Sequence, residues 1–156
     1  MNSDPQIRHE FEISLMPVSN NDMYLPRPFR GGKSAYITKS TLLRKFQEAV
    51  QPLLVKHIPN ELVDSLKEAM KNPQLAIHLG FVFGMPKKEF YKCDASNYVK
   101  SIEDMIKDRL KIDDSRNCSV SSRKFLSDDK WITNVVIEVY ELEFEVESKW
   151  HGWKEK

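Results

Sequence analysis

The stretch Ser96 to Leu110 reads as an amphipathic helix with chemically able side chains on one arc. On a wheel of about 100° per residue, Asn97, Lys100, Asp104 and Asp108 share that arc. Tyr98, Val99, Ile102, Met105, Ile106 and Leu110 make the apolar face opposite. Asp94 precedes the first turn and Asp113-Asp114 follow the last, so five carboxylates and one lysine are expected to reach one surface. Hard divalent cations take carboxylate oxygens and leave water free for chemistry on phosphate. A carboxylate cluster beside a lysine therefore suits phosphodiester hydrolysis. Plain solvation also selects acids and lysines for the outer face of a helix, and periodicity alone does not separate the two readings.

The chain that must position these residues has 156 residues, 40% hydrophobic and 30% charged, the size and balance of one globular domain. Its longest apolar runs, Phe81-Val82-Phe83 and Val135-Val136-Ile137, fall far short of the roughly 20 residues that cross a bilayer. No membrane partner is expected. Met1 to Gln6 has no basic stretch leading into an apolar one, so a cytoplasmic location is expected. Cys93 and Cys118 form no C-x-x-C and the four histidines are scattered, which suggests neither a disulfide framework nor a cysteine-based zinc site.

A net charge of +1 announces no polyanionic partner, but its distribution is uneven. From Met23 to His57 there are seven basic residues (Arg27, Arg30, Lys33, Lys39, Arg44, Lys45 and Lys56) against Glu48 alone. From Glu138 to Glu147 there are five glutamates and no Lys or Arg. One face is thus suited to phosphates and another repels them. Tyr24 and Phe29 stand among the basic residues, where they could stack on bases or pack back onto the protein.

Alternation of Phe11, Ile13 and Leu15 predicts a strand over Glu10 to Met16. Pro17 to Gly32 is dense in turn formers and reads as a loop, with a short strand at Ala35 to Thr38. Ser40 or Thr41 should cap a helix carrying Leu42 to Leu54, which Pro52 would kink or shorten; Glu61 to Met70 gives a second helix. Leu75 to Phe83 alternates as a long strand, and Gly84 to Cys93 is a basic connector with Lys87, Lys88 and Lys92. Val120 to Leu126 and Trp131 to Val146 read as strands joined by a hairpin turn at Ser127-Asp128-Asp129-Lys130. The expected fold is α+β: a single compact domain, core about residues 9–146 with short terminal extensions, built on a mixed sheet packed by helices. His78 should be a satisfied core or interface histidine and Cys93 an inert one, while Trp150 and Trp153 would cover the sheet or hang free.

The string Asp94-Ala95-Ser96-Asn97, then Lys100, Glu103-Asp104 and Asp113-Asp114-Ser115, resembles the RusA-like Holliday junction resolvases. That family has D-x-D-N or D-x-S-N at a helix start, a lysine three residues after the Asn, an acid four later and a D-D pair beyond the helix. Pro17-Val18-Ser19-Asn20-Asn21 is similar to its P-x-S-N-N signature, and Tyr36-Ile37-Thr38 to the short strand after it, so the resemblance covers about residues 9–144.

It implies a RusA-like fold and a structure-selective endodeoxyribonuclease that resolves four-way junctions in recombination and repair, in a bacterial or phage-infected cell. It also implies a homodimer, branched DNA as partner, and Mg²⁺ or Mn²⁺ as cofactor. By position, Asp94 and Asp114 would be metal ligands and Lys100 the catalytic lysine, with Asp113, Asp104 and Ser96 as further ligand candidates. Asp104 could instead hold Lys100 through an i, i+4 pair. Arg27, Phe29, Arg30, Lys33 and Lys92 are expected to face DNA, and Asn20, Asn21 and Asn97 to support the site. Ser96 stands where the best-known members place a second aspartate; its hydroxyl could bind metal weakly or cap the helix through Val99. The alternatives are therefore a catalytically weakened junction-binding protein and a generic metal-dependent phosphohydrolase.

Overall fold

The computed structural model describes residues 4–28, 32, 35–112 and 117–142, without the side chains of 28, 35, 36, 117 and 118. The first strand, β1 (Ile7–Ile13), turns Phe11 and Ile13 inward and Arg8, Glu10 and Glu12 outward. It begins earlier than the alternation from Glu10 suggested and stops before Leu15. Its ladder ends where Ile13 meets Thr133, whose hydroxyl donates to the Leu15 carbonyl at 2.9 Å.

The segment read as a loop holds regular structure. A 3₁₀ turn at Asn20–Asp22 leads into β2 (Tyr24–Pro28), which pairs antiparallel with β3 (Ala35–Lys39) in a separate ribbon. Pro26 and Pro28 hid β2 in the sequence, yet each strand of a ribbon has one unpaired edge where a proline lacking its N–H does no harm. Ser40 joins this ribbon to α1 (Thr41–His57). Its Oγ accepts from the Leu43 N–H at 3.1 Å and donates to the Asp22 carbonyl. The helix buries Leu43, Phe46, Val50 and Leu54 and runs through Pro52 without stopping. The carbonyl that Pro52 leaves without a helical partner is that of exposed Glu48, where water can replace the lost bond.

After α2 (Asn60–Ala69) comes β4 (Leu75–Met85), buried along most of its length, as expected of a strand with neighbours on both edges. A short helix α3 (Lys87–Phe90) and a 3₁₀ turn at Ala95–Tyr98 precede α4 (Val99–Leu110), so the expected single helix from Ser96 starts as a tighter turn. Then follow β5 (Asn117–Leu126) and β6 (Ile132–Glu141); the expected continuation of β6 to Val146 and the tryptophans Trp150 and Trp153 lie outside the described residues.

The main sheet has the order β1-β6-β4-β5, mixed because β4 runs parallel to β5 and antiparallel to β6. This overturns the hairpin expected at Ser127 to Lys130. The crossover through α4 sets β5 on one side of β4, and β6 takes the free edge of β4, between it and β1, and not the outer edge of β5; the Ser127 N–H bonds the Met85 carbonyl as the chain rounds the end of β4. One core fills the space between sheet and helices, with Leu79, Phe81 and Phe83 of β4 against Leu54, Leu66, Ile102 and Ile106. On the open face His78 has both ring nitrogens within hydrogen-bond distance of serines, Ser119 at 2.5 Å and Ser121 at 3.2 Å.

Because the Ser40 hydroxyl both caps α1 and ties it to the Asp22 turn, Ser40→Ala should destabilise the protein by about 1–2 kcal/mol. Denaturant unfolding checks this, and a loss under a few tenths of that range would remove the cap from the argument.

Candidate active site

Asp94 ends the connector that leaves β4. Its backbone is extended (φ −84°, ψ 134°), and it occupies the N-cap position of the 3₁₀ turn without using its side chain as a cap. Capping is what an aspartate at that position ordinarily does. Here the carboxylate is exposed instead, while the Asn97 N–H donates to the Asp94 carbonyl at 3.1 Å. Behind it, buried Tyr98 lies against Phe83 and Trp131 and donates its hydroxyl to Cys93 Sγ at 3.2 Å. Burial first, then the thiol contact, pushes the Tyr98 phenol well above its ordinary value, so it remains a neutral donor.

The Pro17-Val18-Ser19 segment reaches this region through buried Ser101 of α4, whose hydroxyl accepts from the Val18 N–H at 3.1 Å. Ser101 was missed in the sequence because a lone serine on a helix carries no signal of a distant backbone partner. The turn bearing exposed Asn20 and Asn21 consequently rests beside the turn bearing Ser96 and Asn97, both exposed. The Val99 N–H bonds the Ser96 carbonyl, taking up the donor that a Ser96 hydroxyl cap would have used.

On α4, Lys100 Nζ and Asp104 Oδ1 are 2.8 Å apart, and Lys107 and Glu103 make a second i, i+4 pair at 2.7 Å. The hydrogen bond that Lys100 donates to Asp104 is the main cause raising the Lys100 pKa; partial burial opposes it and the charge of Asp104 adds to it. Asp104 and Asp108 face a cleft of about 630 Å³ between α4, α1 and the β2–β3 ribbon, whose other walls include Tyr24, Lys39, Gln51 and Lys111.

Of the five carboxylates expected on one surface, Asp94, Asp104 and Asp108 lie among the described residues. Among the described residues no group of three or more His, Cys, Asp or Glu side chains could hold a metal. The twelve residues of α4 span about 18 Å, with Asp94 beyond its N-terminal end and Asp104 and Asp108 along it, lining the cleft. Asp113 and Asp114 lie outside the described residues, as do Phe29, Arg30 and Lys33. Arg27, on β2, and Lys92, just before Cys93, are exposed.

Comparison with protein families matches residues 17–148 to Endodeoxyribonuclease RusA, a span that takes in Pro17 to Asn21, Asp94, Lys100 and the Asp113-Asp114 pair. The chain belongs to the RusA family. No curated protein matches it at a meaningful level of similarity. As a RusA endodeoxyribonuclease it is a hydrolase of DNA phosphodiester bonds, a crossover junction nuclease. The matched span opens after β1, later than the resemblance starting near residue 9 had suggested.

RusA resolvases depend on divalent metal. The chemistry of Asp94 fits one: an exposed carboxylate with no capping bond offers the hard oxygen that Mg²⁺ or Mn²⁺ prefers. Asp104 is already committed to Lys100.

That pair gives a pH signature. A lysine whose folded pKa is raised draws stabilisation from its partner throughout the range below its unfolded pKa, and loses it as pH rises through the folded value. In Asp104→Asn, Lys100 should titrate at lower pH than in the wild type, as read from the chemical shift of its side-chain nitrogen. An unmoved titration would mean that the pair does not persist in solution.

Proposed function

We propose that this RusA-family nuclease resolves four-way DNA junctions in recombination and repair, in the cytoplasm, with a divalent cation bound through Asp94 and Asp114. The observation that supports this most directly is Asp94 itself, a cap-position carboxylate on an ordered main chain that is left free of the capping bond. A bound cation would activate water and offset charge on the scissile phosphate. Asp113 is the neighbouring acid in the D-D pair. Ser96 would contribute at most a weak or water-mediated contact.

In this reading Lys100 acts on the phosphate. Held by Asp104 and with its pKa raised, it stays cationic and offsets the charge that develops as the phosphodiester bond breaks. Scission then leaves 3′-hydroxyl and 5′-phosphate ends that a ligase can reseal. The cleft between α1 and α4, lined by Asp104, the partner of Lys100, would give the strand a route, with Lys39 and Lys111 for phosphates and Tyr24, 47% exposed, for stacking on a base. Arg27 and Lys92, both exposed, would add positive charge for the branched DNA, and Phe29, Arg30 and Lys33, which follow Arg27 in the sequence, are assigned the same role. A small phosphorylated substrate would need none of that extent.

Asp94→Asn and Asp114→Asn should each abolish cleavage of a labelled junction in Mg²⁺ while leaving junction binding largely intact, since the basic surface is untouched. Lys100→Ala should likewise lose cleavage. A correctly folded Asp94→Asn protein that still cuts within about tenfold of the wild type would end the assignment of Asp94 as a ligand. A wild type that binds junctions but never cuts them would favour the binding-protein reading that Ser96 raises.

The active unit should be a homodimer. Two strands must be cut symmetrically, and an isologous pair of subunits presents two identical sites. β4 and β6 are inner strands whose edges are already paired, so edge pairing between subunits could use β1 or β5 alone among the strands of the main sheet. Light scattering should report about twice the 18.3 kDa chain mass. Mixed dimers with one Asp94→Asn subunit should nick a junction without resolving it, and a monomer that resolves junctions unchanged on dilution would exclude the dimer.

A further inference from the structure

Lys124 lies on β5 opposite Phe83 of β4, half-buried. Its Nζ donates to the carbonyl oxygens of Phe90 and Cys93, the second at 2.8 Å, and sits 4.6 Å from the centre of the Phe90 ring. A lysine on an edge strand ordinarily keeps its strongly hydrated ammonium in water. This one exchanges water for two carbonyls and a ring face, contacts that strengthen as water is excluded.

The Cys93 carbonyl belongs to the peptide unit that contains the Asp94 nitrogen. Holding that plane fixes the main chain on the incoming side of Asp94, and the Asn97 N–H on the Asp94 carbonyl fixes it on the outgoing side. The Tyr98 hydroxyl on Cys93 Sγ anchors the side chain of the preceding residue as well. Asp94 is therefore clamped through its backbone at both ends while its carboxylate makes no capping bond.

We propose that Lys124 is a positioning residue for cation binding, holding the Cys93–Asp94 peptide so that the Asp94 carboxylate is presented in one direction. The proposal rests on the reading of Asp94 as a metal ligand. Lys124 acts through the main chain and not by contact with the cation or DNA. Fixing the peptide in advance removes conformational freedom that cation binding would otherwise have to remove, and groups that orient a ligand in this way contribute substantially to metal affinity.

The test is calorimetric titration of Mn²⁺ into the full-length, DNA-free protein. Lys124→Met should bind Mn²⁺ roughly tenfold more weakly and need roughly tenfold more Mg²⁺ for half-maximal cleavage, with junction affinity in EDTA within about twofold of wild type. Lys124→Arg, whose guanidinium can donate to both carbonyls, should restore most of the Mn²⁺ affinity. Should the Met variant fail to fold, Lys124→Gln keeps a donor for one carbonyl and should show a smaller loss. A folded Met or Gln variant with wild-type Mn²⁺ affinity overturns the proposal, even if its melting temperature falls, because Lys124 would then serve the fold alone. Asp94→Asn is the control. If it loses Mn²⁺ while Lys124→Met does not, the positioning role alone is wrong; if it binds Mn²⁺ like wild type, the ligand assignment fails with it.

Discussion

Parallel pairing of β4 with β5 is the constraint on which the rest of this structure depends. Two strands adjacent in the chain can run the same way only if the connection carries the chain back to the starting end. Here that connection contains α3, the Asp94 turn and α4. It therefore sets Asp94 past the end at which β4 finishes and the foot of α4 near the end at which β5 begins. It also puts the apolar face of α4 on the sheet, which leaves Lys100, Asp104 and Asp108 no place but the outward side and the cleft against α1. The candidate chemistry inherits its layout from this one crossover.

Much of this was legible from side-chain periodicity. Leu75 to Phe83 is a strand in the structure, with the alternate residues Leu75, Ile77, Leu79, Phe81 and Phe83 turned into the core as the period of two requires. Tyr98, Val99, Ile102, Ile106 and Leu110 are buried as the helical wheel requires, and Lys100 and Asp104 meet as their four-residue spacing allows. The string around Asp94 carried the family, which the match over residues 17–148 shows.

What failed was long-range. Ser127 to Lys130 has the composition of a hairpin turn, but whether two strands pair depends on where earlier strands have already gone, and no local window contains that. β2 was hidden by prolines that an unpaired edge tolerates. The role of Lys124 was unreadable for the same reason, since nothing in Ser122-Arg123-Lys124-Phe125 announces carbonyls at Phe90 and Cys93, more than thirty residues away. Wheel geometry gives the arc that Asp104 and Asp108 share but not their positions along the helix axis, and Asp94 stands before the first turn of α4.

The residue that ends α4 shows a competition between folding and surface chemistry. Lys111 adopts the left-handed conformation (φ 52°), which glycine occupies freely and which costs other residues roughly 1–2 kcal/mol. Selection for stability alone would place glycine there. The same lysine lines the cleft with Asp104 and Asp108, where with Lys39 and Arg109 it sets positive charge against the two carboxylates. A glycine would relax the joint and remove one of the cations that line the cleft, so at this position a strained backbone accompanies a surface that a polyanion can approach.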